Sequence, residues 1–385
     1  MRWKEIGMQL KDKIFLNEPR NTSRQWELDL ARTVIIFCLG IVHVIIESTT
    51  DEGLCSGIPY LFDTIIGGPF GAPMFMFVMG VGMCFTIKNS PKDFFVKGAI
   101  RFAFGYVLNI CRFLIPYSIG YWITGDYATY IEPLLYKVLC NDILTFAGLS
   151  MMIMALFMKL KLSKPVMMIV AAVMCGFGTL LNGVDVQSPL GNIFLGYFIG
   201  TEDAAGMVLS YFPVLNWMIF PVVGYVFGSV LKYVKDKKLF YLTFSLPAAI
   251  IAVVYFIVGI NLERGMFGEG QNCYYHMIFS DVMASICLTL GTIGAYYFIT
   301  LKLPEKVLSI IKTISRNITS TYCIHWVLVS VVVNVGIYAA RGTTLMAPWQ
   351  SVAVGTAISM TAMVIAHFYT KVKGRCKTNA QTKTS

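Results

Sequence analysis

The chain carries too little charge for water to be its solvent. Asp, Glu, Lys and Arg make up only 14% of its residues against a hydrophobic fraction of 56%, and the mean hydropathy is +0.67. A soluble fold of this composition would be coated in apolar side chains, which excludes an ordinary soluble enzyme and leaves lipid as the solvent. A disulfide framework is also missing. Six of the ten cysteines, Cys38, Cys84, Cys111, Cys175, Cys287 and Cys323, fall inside apolar runs, where they act as small packing residues. Cys55 and Cys273 fall in loops on one side of the expected membrane, and the spacing alone leaves their pairing open. No CxxC or clustered Cys/His spacing points to a metal. There is no internal repeat, no low-complexity linker and no room for a large soluble domain. A cleavable signal is not expected either, because a charged leader of about thirty residues precedes the first apolar run and no small-residue cleavage site follows it.

What is there is a series of apolar runs. At roughly 20 residues per span, they fall at 31–49, 66–87, 98–121, 138–158, 165–182, 212–232, 239–260, 277–300, 318–339 and 347–370. The expected fold class is therefore all-α, a polytopic transmembrane helical bundle of about ten spans. Residues 1–30 read as a cytosolic amphipathic leader, 31–371 as the transmembrane domain and 372–385 as a basic cytosolic tail. In the leader, Trp3, Ile6, Leu10 and Ile14 recur at helical spacing, which suits either an interfacial helix or a frayed polar tail.

The net charge of +10 is explained by topology. With the N-terminus in the cytosol, the leader, the segments around Lys92, Lys161, Lys235 and Lys306, and the tail from Lys371 hold nearly all Lys and Arg. The other face has only Lys137, Arg264 and Arg341, together with acidic residues such as Asp51, Asp126, Asp185, Glu202 and Glu263. The positive-inside rule then places both termini in the cytosol. Anionic lipid accounts for the basic balance, and nucleic acid is not needed as a partner.

Ionisable residues inside an apolar span are costly and mark candidate functional positions. In the first span, Arg32 and His43 are eleven residues apart, close to three helical turns, so they share a face about 16 Å apart along the axis. Asp29 lies one turn before Arg32 and Glu47 one turn beyond His43, which makes a single stripe. Taken singly, Asp29 and Arg32 read as interfacial residues and His43 as a packing histidine; the shared stripe favours function. The third span repeats the spacing. Lys97 and Arg101 sit at its cytosolic end and Arg112 lies eleven residues beyond Arg101, at about the depth of His43, where it needs an anion or a carboxylate from a neighbouring helix. His325 reads equally as a packing or a site-lining residue. His276 either contacts an external acceptor or belongs to an interfacial aromatic belt.

The run Leu28-Asp29-Leu30-Ala31-Arg32, an apolar stretch and His43 resembles the opening helix of the membrane-bound acyltransferase 3 family, whose pattern is LDxxRG followed by a histidine eleven positions after the arginine. Ala72–Val81 is similar to the family's FFxLSG segment and to that of heparan-alpha-glucosaminide N-acetyltransferase-like proteins. Tyr322…His325 fits the same plan. Thr33 stands where the family has glycine, and Met79 where it has serine.

The resemblance implies an enzyme that moves an acyl group, usually acetyl, from cytosolic acyl-CoA to a hydroxyl or amine of an extracytosolic carbohydrate-type acceptor. It also implies a multi-pass protein of a bacterial plasma membrane. In that picture Asp29, Arg32, Lys97 and Arg101 bind the donor, His43 is the general base, Arg112 stabilises the oxyanion, and Glu47 orients His43 or is a solvated helix-end residue. His276 and His325 lie on the acceptor side. No metal is expected, and the oligomeric state is left open, a homo-oligomer included. A proton-coupled transporter or flippase is the competing expectation, since buried ions mark carriers too; the lack of an inverted repeat argues against it. A scaffold that kept the fold without catalysis is a third, which the intact Arg32/His43 spacing disfavours.

Overall fold

A computed structural model describes residues 12–87, 89–202, 210–262, 266–267 and 273–382. Trp3, Ile6 and Leu10 of the leader, and Glu263 and Arg264 among the loop charges, lie outside the described residues. The described chain is helical throughout, with two isolated β-bridges and no strands. In chain order the main helices are α1 (Trp26–Ser48), α2 (Gly57–Cys84), α3 (Pro91–Thr124), α4 (Tyr127–Lys159), α5 (Lys164–Leu180), α6 (Val214–Leu231), α7 (Lys237–Asn261), α8 (Phe279–Thr300), α9 (Glu305–Arg316), α10 (Ile318–Arg341) and α11 (Pro348–Lys373).

Among the described residues, nine of these are long and apolar enough to cross a bilayer. The span expected at 165–182 is α5, whose 17 residues rise about 25 Å, just short of a full hydrocarbon core. The fold class read from the sequence therefore holds, and the chain is an integral, multi-pass membrane protein.

Two departures have clear causes. The first helix starts at Trp26 rather than at 31, because the acidic residue at its foot is neutralised inside the protein: the buried Glu27 carboxylate lies 2.5 Å from the Lys237 ammonium and accepts from the Tyr241 hydroxyl at 2.9 Å. Ile14, expected on an interfacial helix or in a frayed tail, is buried instead: the next residue, Phe15, forms a β-bridge with Val234, and the backbone is tied down by Leu16 N–H to the Tyr233 carbonyl (2.8 Å) and Lys235 N–H to the Ile14 carbonyl (2.7 Å).

The chain divides into two compact units. Unit 1 holds the leader up to Glu27, Ala72–Val107 and Leu139–Leu301; unit 2 holds Leu28–Gly71, Leu108–Val138 and the chain from Lys302 onward. In unit 1, α2 and α6 meet backbone to backbone. A Cβ on Gly80 would lie 2.1 Å from the Pro221 carbonyl oxygen, and one on Gly224 2.0 Å from that of Phe77. In lipid, small residues allow the approach that dispersion forces need to hold helices together.

Unit 2 uses the same device between α1 and α11. Ser351, Gly355 and Ser359 recur every fourth residue on α11. Ser351 shares a hydrogen bond with the Ser48 hydroxyl (2.8 Å), Ser359 donates to the Phe37 carbonyl (2.8 Å), and a Cβ on Gly355 would sit 2.6 Å from the Ile41 Cα. Beside this seam Val44, Val329, Val333 and Ile358 form a buried core. Gly355→Val forces backbones apart, and overpacking of this kind costs about 1–3 kcal/mol. The variant in detergent is expected to melt several degrees lower than wild type; an unchanged melting temperature would show that the helices do not pack at Gly355.

Besides the π-helical stretch of α2 at Leu61–Gly67, two helices of unit 2 depart from regular geometry. α3 opens into a π-helical turn at Ile110–Leu114, and α10 does so at Ser330–Ile337. The first has a covalent cause. In an α-helix the Arg112 carbonyl would accept from the N–H of residue 116, but that residue is Pro116 and has none. The wide turn begins there, and the Ser330 hydroxyl of α10 donates to the Arg112 carbonyl. Such turns recur at functional sites.

Candidate active site

The polar groups of unit 2 are arranged along α1. At its N-terminal end, Asp29 is buried and accepts from the Ser315 hydroxyl of α9 at 2.6 Å, while Arg32 lies 3.5 Å from the same carboxylate oxygen with its side chain 26% exposed. Thr33, in the family's glycine position, turns its hydroxyl to the Asp29 and Ile311 carbonyls. Asp29 therefore holds Arg32 in place and leaves part of its guanidinium exposed. α9 itself places Ile311 and Ser315 inward and Lys306, Lys312 and Arg316 outward.

About three turns along α1 lies an aromatic and cationic cluster. The His43 ring is 3.9 Å, centroid to centroid, from the Trp326 indole and stacks 5.5 Å from the His325 ring at 20°. The Arg112 guanidinium lies 4.4 Å over the same indole and 4.4 Å over the Phe113 ring, and its Nε donates to Asn109 Oδ1 at 3.2 Å. Arg112 is 2% exposed and His325 fully buried, whereas His43 keeps some exposure. Trp326 is thus the common partner of His43, His325 and Arg112. A guanidinium carbon this close over two rings is stabilised by about 0.5–2 kcal/mol per ring and keeps a fixed positive charge beside a histidine.

Beyond the cluster, at the far end of α1, Glu47 acts electrostatically on the Tyr117 hydroxyl, which also receives a 3.4 Å hydrogen bond from Asn334. Lys137 lies over the Phe113 and Tyr117 rings, and the Tyr130 hydroxyl donates to the Asn334 carbonyl at 2.7 Å. Glu47 therefore belongs to this outer tyrosine group. At its edge the Tyr338 hydroxyl donates to Asp126, which also accepts from Thr129 N–H (3.1 Å) and the Thr129 hydroxyl (2.8 Å).

These bonds, Tyr338 foremost, hold the Asp126 carboxyl below its ordinary range. A depressed folded pKa stabilises the fold above the unfolded value of about 3.9 and loses that contribution as the pH falls through the folded value. Wild type should lose thermal stability on acidification below about pH 4, and Asp126→Asn should lose less over the same range. Equal slopes in melts taken across that range would remove the assignment.

The remaining expected site residues belong to unit 1. Arg101 donates to the Met151 sulfur at 2.9 Å, and Lys97 lies over the Phe94 ring. His276 is fully buried. Its Nε2 is 2.7 Å from the Ser210 hydroxyl, its Nδ1 is 3.4 Å from Glu202, and its carbonyl accepts from Asn182 at 2.6 Å. This has the order of a nucleophile relay, but Ser210 is only 1% exposed and also accepts from Thr201 N–H, so the group pins loop backbone. Cys55 and Cys273 are both free thiols.

A comparison with known families decides the class. The acyltransferase 3 family model, described as an acyltransferase domain, matches residues 25–368. The chain belongs to the acyltransferase 3 family. The match starts beside Trp26, the first residue of α1, and runs into α11, so it takes in every residue of the α1 stripe and the cluster around Trp326. No curated protein and no solved structure gives a significant match. This acyltransferase 3 chain is a membrane acyltransferase.

Proposed function

We propose that unit 2 transfers an acyl group, acetyl in the simplest case, from cytosolic acyl-CoA to a hydroxyl or amine of an extracytosolic carbohydrate-type acceptor, in a bacterial plasma membrane with both termini cytosolic. The observation that carries this reading is the sharing of one helix by Arg32 and His43, with His43 seated against Trp326 and Arg112 over the same indole. Arg32, held by Asp29 and Ser315, offers a partly exposed guanidinium to the donor phosphates. A pantetheine arm of the order of 15 Å matches the rise from Arg32 to His43 and brings the thioester to the cluster without passage of the whole donor.

There the acceptor oxygen attacks the thioester carbon. His43 takes the proton from the attacking hydroxyl as general base. The fixed charge of Arg112 favours the negative charge that develops on the carbonyl oxygen. The tetrahedral adduct collapses with cleavage of the C–S bond, the new C–O bond is kept, and the departing thiolate takes the proton from His43. At this outer end the half-buried Tyr338, Lys137 and Glu47, backed by the buried Tyr117 and Tyr130, offer polar and aromatic groups suited to a carbohydrate.

The test is vectorial. Protein in liposomes is given acetyl-CoA labelled in the acetyl group on the side bearing the termini and soluble glycans on the other. Label is expected in the glycan, with a free thiol released on the donor side. Glycan flux without acetyl-CoA would identify a carrier, and failure of acetyl-CoA to bind at millimolar concentration would refute the donor.

A further inference from the structure

Two buried nitrogen atoms beside His43 have no hydrogen-bond partner: Nε2 of His325 and Nε1 of Trp326. Their roles are fixed by chemistry. His325 Nδ1 lies 3.3 Å from the Thr321 carbonyl, which can only accept, so Nδ1 carries the proton and Nε2 presents a bare lone pair. Trp326 Nε1 is always a donor. His325 and Trp326, adjacent in sequence, therefore present one unsatisfied acceptor and one unsatisfied donor. Both are packed against the histidine of the α1 stripe, at 5.5 Å and 3.9 Å between ring centroids.

Neither atom is needed to hold the fold. His325 is anchored through Nδ1, its edge-on contact with Tyr322 and its stacking on His43, and Trp326 through its contacts with His43 and Arg112. An unmatched donor and acceptor, enclosed together, are complementary to a ligand that brings the opposite pair.

Acyl transfer supplies such a pair. A thioester carbonyl oxygen only accepts, and a hydroxyl-bearing acceptor donates. Resting on the proposed donor and acceptor classes, we infer that the Trp326 indole N–H hydrogen-bonds the thioester carbonyl oxygen, and that His325 Nε2 receives a hydrogen bond from a hydroxyl of the acceptor next to the one being acylated. The acceptor is then a polyol with neighbouring hydroxyls. His43 remains the group that takes the reacting proton, and His325 and Trp326 orient the two partners about it. A donor already in place at the carbonyl strengthens as negative charge forms there.

The test reads the hydrogen bond itself. Acetyl-CoA labelled with ¹³C at the acetyl carbonyl is bound to the full-length protein in detergent, and the isotope-edited infrared band of the thioester carbonyl is recorded. In wild type the band is expected to shift to lower frequency on binding. In Trp326→Phe, which keeps a ring but has no N–H, the shift is expected to vanish, and kcat to fall roughly tenfold or more with little change in acceptor KM. His325→Phe is expected to keep the shift and raise acceptor KM roughly tenfold, while His325→Gln, whose amide oxygen accepts, recovers part of the loss. A polyol lacking the neighbouring hydroxyl should be insensitive to His325→Phe. Acetyl-CoA that binds wild type with an unshifted carbonyl, or a shift that survives in Trp326→Phe, overturns the inference while leaving the acyltransferase reading intact. Absence of acetyl-CoA binding removes the proposed donor, and the inference with it.

Discussion

His43→Gln is expected to lower kcat by about 10²–10⁴, the range set by loss of a positioned general base, with the melting temperature close to that of wild type. Glutamine has a similar reach and can still hydrogen-bond, but its amide cannot hold a proton near neutral pH. His43 is partly exposed and lies at the edge of the Trp326 stack, with the buried seam between α1 and α11 formed by other residues of the same helix. Loss of the ring therefore removes its contacts with Trp326 and His325 and leaves the helix packing in place. The measurement is initial rate of thiol release at saturating donor and acceptor, alongside a melt of the same preparation. A rate within threefold of wild type would transfer the role of base to another group, with His325 the first to examine.

The second large effect is at Arg112. Arg112→Lys keeps a positive charge and a long side chain, yet it is expected to lower kcat by about 10²–10³, the cost of losing one donor to the developing oxyanion. The reason is shape. Between the Phe113 and Trp326 rings sits a planar, delocalised cation whose Nε also meets Asn109. An ammonium is a compact, strongly hydrated point charge that cannot lie flat against two rings and keep the same direction. Donor KM should change little, because the phosphates are assigned to Arg32 at the other end of the stripe. A lysine variant with wild-type kcat would show that only net charge matters here. A large rise in donor KM with unchanged kcat would make Arg112 a binding residue.

Helical periodicity made part of this site readable before any coordinates. Arg32, His43 and Glu47 lie on an uninterrupted α-helix, so the spacing of eleven and then four residues translates directly into a stripe. The same arithmetic applied to Arg101 and Arg112 assumed a regular helix. The π-helical turn at Ile110–Leu114 changes the register between them, and the two arginines find partners in different units, Met151 for one and Trp326 for the other. Pro116 was the available signal for that irregularity.

Trp326 was hidden by a sound rule. Tryptophan in a membrane protein is expected at the interface, and only its adjacency to a mid-span histidine hinted otherwise. The resemblance puts Asp29 in the donor site without indicating what holds its carboxylate. That its partner is Ser315 depends on α9, a segment read as a basic cytosolic loop although Leu308, Ile311, Ile314 and Ser315 recur at helical spacing. The number and order of the spans needed only length and hydropathy, whereas the starts of α2, α3 and α4 lie 9, 7 and 11 residues before the expected ones because polar helical turns precede each apolar run.

The join between Pro116 and Ser330 also has an evolutionary consequence. The proline deprives one carbonyl of its partner inside α3, and a hydroxyl from α10 satisfies it. Neither residue is required without the other. Within the family, lineages that carry another amino acid at the position of Pro116 should be released from needing a hydroxyl at that of Ser330, and lineages that keep the proline should hold serine or threonine there. The two sites should therefore change together in descent, although 214 positions of sequence separate them. The order of loss should be asymmetric as well. The hydroxyl is free to go only after the proline has gone, since losing it first would take a second donor from a carbonyl that already lacks its α-helical one.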